Sequence, residues 1–280
     1  MENDAIIESG PVPLTEEDEG PMATSSSSSG SASGDARPDP LSVVRTAIGY
    51  GGVYPFMLAA AGIGAVNRRM KTGLDFMMST YPGFALAAGG VEPRVTGVEH
   101  LWSTRPAVFI FNHRNMIDGL IVANLLQRDF TSVAKKQLAD APLIGPAGRA
   151  AGVVFIDREN AESAIKSLQE ATAAFDEGTS IIISPEGTRQ DDTLLGPFKK
   201  GAFRLAMAGD VPIVPIVFHN AEQIQGASGF LMKPGIVDVD VLEPIPTRGW
   251  TVKGLPQRIE SVRNQMLAVL ERGPSTDTDS

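Results

Sequence analysis

Short runs made wholly of apolar residues, each ending at residues able to do chemistry, constrain this chain more than any other feature. Ala107 to Phe111 leads into Asn112-His113, and Val153 to Ile156 leads into Asp157-Arg158. Ile181 to Ile183 leads into Ser184-Pro185-Glu186-Gly187, and Ile213 to Phe218 into His219. Runs this short suit buried strands better than helices. In an open α/β sheet ligands bind beyond the carboxyl ends of the strands, so the pattern predicts chemistry gathered along one sheet edge. Ala161, Ala164, Ile165, Leu168, Ala171 and Phe175 form a helical stripe closed by Gly178. Ile259, Val262, Met266 and Val269 or Leu270 form another behind Pro256. Val237, Val239 and Val241 read as a further strand, with Asp238 and Asp240 alternating outward. The expected fold is α/β, a mixed central sheet flanked by helices, and no internal repeat is evident.

His113 and Asp118 are the first candidate pair. On one helix, five residues rotate about 500°, which leaves the two side chains about 140° apart and unable to meet. They converge only if His113 precedes the helix. Asp118 to Arg128, with Leu120, Ile121, Ala123, Asn124, Leu125 and Leu126, has the composition of a buried helix, which puts His113 in the connecting loop. There Asp118 can accept a hydrogen bond from one imidazole nitrogen, fixing the tautomer so that the other nitrogen is free to take a proton. The plainer alternative leaves Asp118 complementing the helix dipole and His113 as a turn residue. Likewise Pro185-Glu186-Gly187-Thr188 alone reads as a turn with Pro and Gly where turn chemistry wants them.

Four segments taken in order resemble the sequence blocks of the glycerolipid acyltransferases, specifically the 1-acylglycerol-3-phosphate acyltransferase family. They are Asn112-His113 to Asp118, Val154-Phe155-Ile156-Asp157-Arg158, Pro185-Glu186-Gly187-Thr188-Arg189 and Val211-Pro212-Ile213-Val214-Pro215-Ile216. Val133-Ala134-Lys135-Lys136 and Phe198-Lys199-Lys200-Gly201-Ala202 are also similar to family segments. Two of the blocks depart from the family pattern. Asn115 stands where the first block often has Ser, and Ser184 and Gln190 flank the third block.

The resemblance implies transfer of a fatty acyl group from a thioester, acyl-CoA or acyl-carrier protein, to the free hydroxyl of a lysophospholipid. Lysophosphatidate is the first-choice acceptor and phosphatidic acid the product. His113 is then the base, supported by Asp118. Arg158 and Arg189 hold the acceptor phosphate through planar guanidinium contacts, and Glu186, Gly187 and Thr188 shape the same site. The chain has neither a Gly-x-Ser-x-Gly elbow nor any Cys, so no acyl-enzyme nucleophile is offered, and a thioester needs no further activation. His, Asp and Glu show no metal-ligand cluster, so neither metal nor cofactor is expected. Lys135, Lys136, Lys199 and Lys200 extend the anionic site, face lipid headgroups, or are ordinary surface lysines. His100 and His219 lack an acid at the spacing of the first pair and are assigned structural roles. Another lysophospholipid or glycolipid acceptor stays open, as does a non-catalytic lipid-binding membrane protein, against which the complete set of site residues argues.

Charge is unevenly spread. Residues 1–40 carry nine acids against Arg37, and the last eight residues carry Asp277 and Asp279, leaving 41–272 with 23 bases and 22 acids. No nucleic-acid partner is suggested. The acidic, Ser-rich stretch 1–40 and the tail 273–280 are expected to be disordered, and the absence of Cys suits a reducing cytoplasm. No charge occurs between Thr46 and Asn67 or between Phe76 and Val91, while Arg68, Arg69 and Lys71 lie in the gap. As helices these stretches would reach about 33 Å and about 24 Å. Glycines and prolines dilute both, which favours a shallow helical pair over 41–90, preceding an acyltransferase domain over 91–272. A single span and ordinary core helices stay open. The pair would hold the enzyme, peripheral or monotopic, on the cytoplasmic face of the cell membrane, with basic residues near anionic lipid. Oligomeric state is not legible.

Overall fold

The computed structural model describes residues 39–140, 144–150, 153–156, 171–187, 194–226 and 229–275. Helices α1 (Pro40–Gly51), α2 (Val53–Val66) and α3 (Met70–Gly89) come first, followed by β1 (Val91–Thr96), α4 (His100–Ser103), β2 (Val108–Phe111) and α5 (Ile117–Leu126). Next are β3 (Phe130–Lys135), a 3-10 turn over Lys136–Asp140, α6 (Ile144–Ala150), β4 (Val154–Ile156), a helical stretch over 171–176 (α7) and β5 (Ser180–Ile183). The chain continues through α8 (Lys200–Ala208), β6 (Ile213–Phe218), α9 (Ala221–Ile224), β7 (Gly235–Val241) and α10 (Leu255–Arg272).

The strands form one sheet in the order β1-β7-β6-β2-β5-β3-β4. From β6 to β4 all neighbours are parallel, whereas β7 runs antiparallel to β6 and carries β1 parallel to itself. The sheet is therefore mixed, as expected, and β6, β2, β5, β3 and β4 all end on one edge. Side chains alternate between its faces. Phe109, Phe111, Ile182, Val214, Ile216 and Phe218 pack with α3 and α5 residues such as Leu86, Ile117 and Ile121. Val108, Ile110, Ile181, Ile183, Ile213 and Val217 pack with Ala171, Phe175, Phe203, Leu205, Ile259 and Met266 from α7, α8 and α10. Helices cover both faces, so these strands read as continuous apolar runs rather than an alternation. Each large side chain so buried contributes about 1.5–3 kcal/mol.

Two strands lacked the apolar-run signal. β1 contains Pro93, tolerated because β1 pairs only with β7 and lies at the sheet edge. β3 opens with Phe130, Thr131 and Ser132. The outward alternation expected of β7 holds for only one of its acids. Asp238 is half-buried against Arg94 at 3.0 Å, but Asp240 is buried, because the end of α10 brings Arg272 over that face. Of the stripe expected at 161–175, Ala171 and Phe175 are buried core residues, while 161–168 lie outside the described residues.

The amino-terminal element is a long helix, interrupted at Gly52, followed by a second that folds back along it. Asp39 caps α1 by accepting from the amides of Leu41 and Ser42, and Pro40 sits at the first helical position, where its missing amide costs nothing. Gly52 keeps helical dihedrals, so Pro40–Val66 is in effect one 27-residue helix. Pro55 has no amide to offer the Gly51 carbonyl, and the ladder breaks there. Backbones of α2 and α3 touch: a Cβ on Gly73 would stand 2.0 Å from the Ala60 carbonyl oxygen. α3 turns Met77, Tyr81, Ala85 and Leu86 inward, whereas Leu41, Val44, Ile48, Tyr54, Leu58 and Val66 on the long helix are exposed.

Candidate active site

The site is built where β2 meets the common strand edge. Just past Phe111, the buried Asn112 side chain imitates a strand residue: its Nδ2 donates to the Phe218 carbonyl at 2.9 Å and its Oδ1 accepts from the Phe218 amide at 2.8 Å. That side-chain rung ties β2 to β6 and lets the backbone turn away, delivering His113 into the loop before α5.

Asp118, in the first turn of α5, folds back toward the helix start. Its Oδ2 lies 3.0 Å from His113 Nδ1 and accepts from the amides of Arg114 at 2.6 Å and Asn115 at 2.9 Å. Nδ1 thus donates to the carboxylate, and Nε2 is left with its lone pair. The His113 side chain is 26% exposed, and no described residue hydrogen-bonds Nε2. A carboxylate at a helix amino terminus is also favoured by the helix dipole. The two sequence readings of Asp118, imidazole partner and helix-end anion, therefore hold together.

β5 delivers the second loop. Gly187 donates its amide to the Ser184 carbonyl at 3.3 Å, closing a turn with Pro185 at its second position, and Gly187 has φ +75°, where a side chain would be strained. Glu186 is buried within this turn. One of its oxygens accepts from the His113 amide at 3.1 Å and the other from the Gly196 amide at 2.8 Å. Burial raises its pKa above the ordinary glutamate value, against the opposing pull of those two amides and of Arg114 and His113. Glu186 thus joins three loop segments directly behind the imidazole. The sequence placed it in the acceptor site; here both oxygens face protein backbone. Arg263 of α10 supports the same segment, donating to the carbonyls of Gly196 at 2.9 Å and Leu195 at 2.7 Å.

Of the remaining expected site residues, Arg158, Thr188 and Arg189 lie outside the described residues. Lys199 and Lys200 are exposed at the start of α8, and Lys136 is exposed just past β3. His100 lies 3.6 Å from Glu99. His219 does have an acid partner, though not a local one: its Nε2 is 3.0 Å from Asp240 Oδ2 on β7. Sequence reasoning singled out neither Asn112 as a strand mimic nor Arg263 as a loop support. The first lay inside the leading motif, while the second is distant in sequence and carried no local signal.

The arrangement is a strand-end imidazole with a carboxylate behind it and no side-chain nucleophile bonded to it among the described residues, a geometry able to accept a proton. A family model described as Acyltransferase matches residues 92–219. The 1-acyl-sn-glycerol-3-phosphate acyltransferase alpha of Homo sapiens is 35% identical over 189 residues, 67% of this chain and 66% of that protein. The 1-acyl-sn-glycerol-3-phosphate acyltransferase of Limnanthes douglasii is 33% identical over 183 residues, 65% of this chain and 64% of its own length. The crystal structure of the 1-acyl-sn-glycerophosphate (LPA) acyltransferase PlsC from Thermotoga maritima shares the fold, with a TM-score of 0.67 at 21% identity, covering 84% of this chain and 97% of that one. Residues 92–219 thus form an acyltransferase-family domain, the relatives the chain resembles are 1-acyl-sn-glycerol-3-phosphate acyltransferases, and the chain spans just under two thirds of the length of those relatives.

Proposed function

We propose that this protein transfers a fatty acyl group from an acyl-thioester, acyl-CoA or acyl-carrier protein, to the free hydroxyl of 1-acylglycerol-3-phosphate, giving phosphatidic acid. The observation that carries the reading is the His113–Asp118 pair, with Nδ1 committed to the carboxylate and Nε2 bonded by no described residue. The acceptor hydroxyl gives its proton to Nε2 as its oxygen bonds to the thioester carbonyl carbon. The tetrahedral intermediate then collapses, the carbon–sulfur bond breaks, and the leaving thiolate takes the proton back. Asp118 stabilises the imidazolium in between. The thioester supplies the activation, so the step calls on no metal or cofactor of the protein's own.

Arg158 and Arg189 are assigned to the acceptor phosphate, with Gly187 and Thr188 lining the approach; the support is their place in the sequence blocks and the shared edge at which β4 and β5 end. Glu186 contributes by holding the His113 amide. Lipid substrates require access to a bilayer, and Pro40–Val66 is long and apolar enough to cross one by length and composition. Its break at Gly51–Gly52 and its exposed Leu41, Val44, Ile48 and Leu58 suit a helix lying in the cytoplasmic leaflet, with Arg68, Arg69 and Lys71 toward anionic headgroups. Purified protein supplied with acyl-CoA and lysophosphatidate should release free thiol and yield phosphatidic acid by mass spectrometry. His113→Ala should lower that rate by roughly 10²- to 10⁴-fold without loss of fold. Full activity in that variant would reject the mechanism, and a panel of other lysophospholipid acceptors tests the headgroup.

A further inference from the structure

From Arg114 to Ile117, the first residue of α5, four backbone amides have no helical carbonyl to satisfy them. Asp118 Oδ2 takes the first two. Met116 occupies the capping position and makes no side-chain cap bond. The missing acceptor comes from far along the chain: Gln225 Oε1 accepts from the amides of Met116 at 3.0 Å and Ile117 at 3.3 Å. Asn115 adds its own Oδ1 to Ile117 at 3.1 Å and anchors the loop by donating to the carbonyls of Ala221 and Gln225, both at 2.7 Å. The Gln225 amide nitrogen is fixed in turn, donating to the Tyr50 hydroxyl of α1 at 3.0 Å and to the Phe230 carbonyl at 2.9 Å. Gln225 and Asn115 are fully buried.

We infer that Gln225 is a positioning residue for acyl transfer: it caps α5 in trans, so that Asp118 stays free to orient His113 rather than being drawn to the amides beyond. A helix start left without its cap frays, and the first turn that frays here is the one carrying Asp118. The tie to Tyr50 keeps the Gln225 carbonyl turned toward that start. The kinetic arm of this inference rests on the acyl-transfer reading, whereas the cap itself does not.

The test compares Gln225→Met, which keeps volume and removes the acceptor, with Gln225→Glu, which keeps an acceptor that a helix amino terminus favours and gives up the donor bond to the Phe230 carbonyl, a loss read in the melt rather than in kcat. Folding is checked by thermal melting. Gln225→Met should lose roughly ten- to a hundredfold in kcat while KM for both substrates stays within about twofold, and its kcat–pH profile should shift, because a displaced carboxylate changes the imidazole's surroundings. Gln225→Glu should recover most of that kcat. Hydrogen exchange at Met116 and Ile117 should quicken by roughly fivefold or more in Gln225→Met alone. Parent-like kcat and pH profile in folded Gln225→Met would overturn the proposal, as would equal impairment of both variants. Should Gln225→Met not fold, loss of kcat in a normally melting Gln225→Glu overturns it and retention supports it. Changed exchange in a protein with no acyl-transfer activity would keep the cap and reject the enzymatic reading instead.

Discussion

Two histidine–aspartate pairs in this molecule share a 3.0 Å contact and almost nothing else. His113 meets its acid through Nδ1 in a loop, five residues away in sequence, and keeps a 26% exposed ring whose Nε2 no described residue bonds. His219 meets Asp240 through Nε2 across neighbouring strands, at 5% exposure, and the same carboxylate oxygen also binds Arg272 at 3.1 Å and Ser275 at 3.3 Å. Both histidines follow parallel strands that end on one sheet edge, so position along the fold does not separate them. What separates them is the nitrogen that is spent and the room left around the other. An imidazole acts as a base only where a substrate proton can reach it; enclosed, the same pair serves as a polar pin through the core.

The comparison breaks most sharply at the imidazoles. Against the His113→Ala loss in rate predicted above, His219→Ala should leave kcat per folded molecule within a few-fold and instead lower unfolding free energy by about 1–3 kcal/mol, the usual cost of a buried polar group deprived of a partner. Steady-state kinetics paired with urea unfolding on both variants reads the two effects separately. A large rate loss in folded His219→Ala would place both histidines in the reaction.

Glu186 sharpens the same contrast from behind the reacting imidazole. Its amide counterpart offers only one acceptor oxygen, so Glu186→Gln sets an NH₂ group against the amide of either His113 or Gly196, at a cost of about 1–3 kcal/mol. The pH dependence has a definite sign. With its folded pKa raised above the ordinary 4.5, the folded state holds the Glu186 proton more tightly than the unfolded chain does. The stability from that proton is fully present below 4.5 and is lost as pH rises through the raised value. Urea titrations from acid to neutral pH should show the parent falling relative to Glu186→Gln across that window. A parent curve rising relative to the variant would contradict the burial argument.

The sequence disclosed what short-range physics controls. β2, β5 and β6 were visible as apolar runs because both faces of each are buried, and His113 with Asp118 was visible because a loop and one helical turn bring them together. β1 was hidden by Pro93, which its edge position tolerates, and β3 by its polar Thr131 and Ser132. Burial of Asp240 was hidden because the helix end that covers it lies 32 residues further on. Gln225 was hidden for the same reason: a cap supplied from 109 residues away leaves no mark near the helix it caps. Asn115 stood in view as a departure from the family pattern, yet its bonds to the carbonyls of Ala221 and Gln225 emerge only in three dimensions.

The smallest expected effect lies at the rim of the His219 pair. Arg272 closes α10 with its side chain 59% exposed, and Asp240 keeps His219 and Ser275 if the guanidinium is removed. The guanidinium lies largely in solvent and the buried Asp240 retains two other partners, so the pair is weak and screened, and Arg272→Gln should cost about 0–1 kcal/mol, less in high salt, with no change in rate. Urea midpoints at low and high salt check the size, and turnover checks the reach. A loss matching that of His219→Ala would mean that Asp240 is buried at the guanidinium's expense and the imidazole merely fills space. A fall in kcat would mean that strain at this end of β7 travels through β6 and the Asn112 rung to the loop of His113, joining two pairs that the geometry keeps apart.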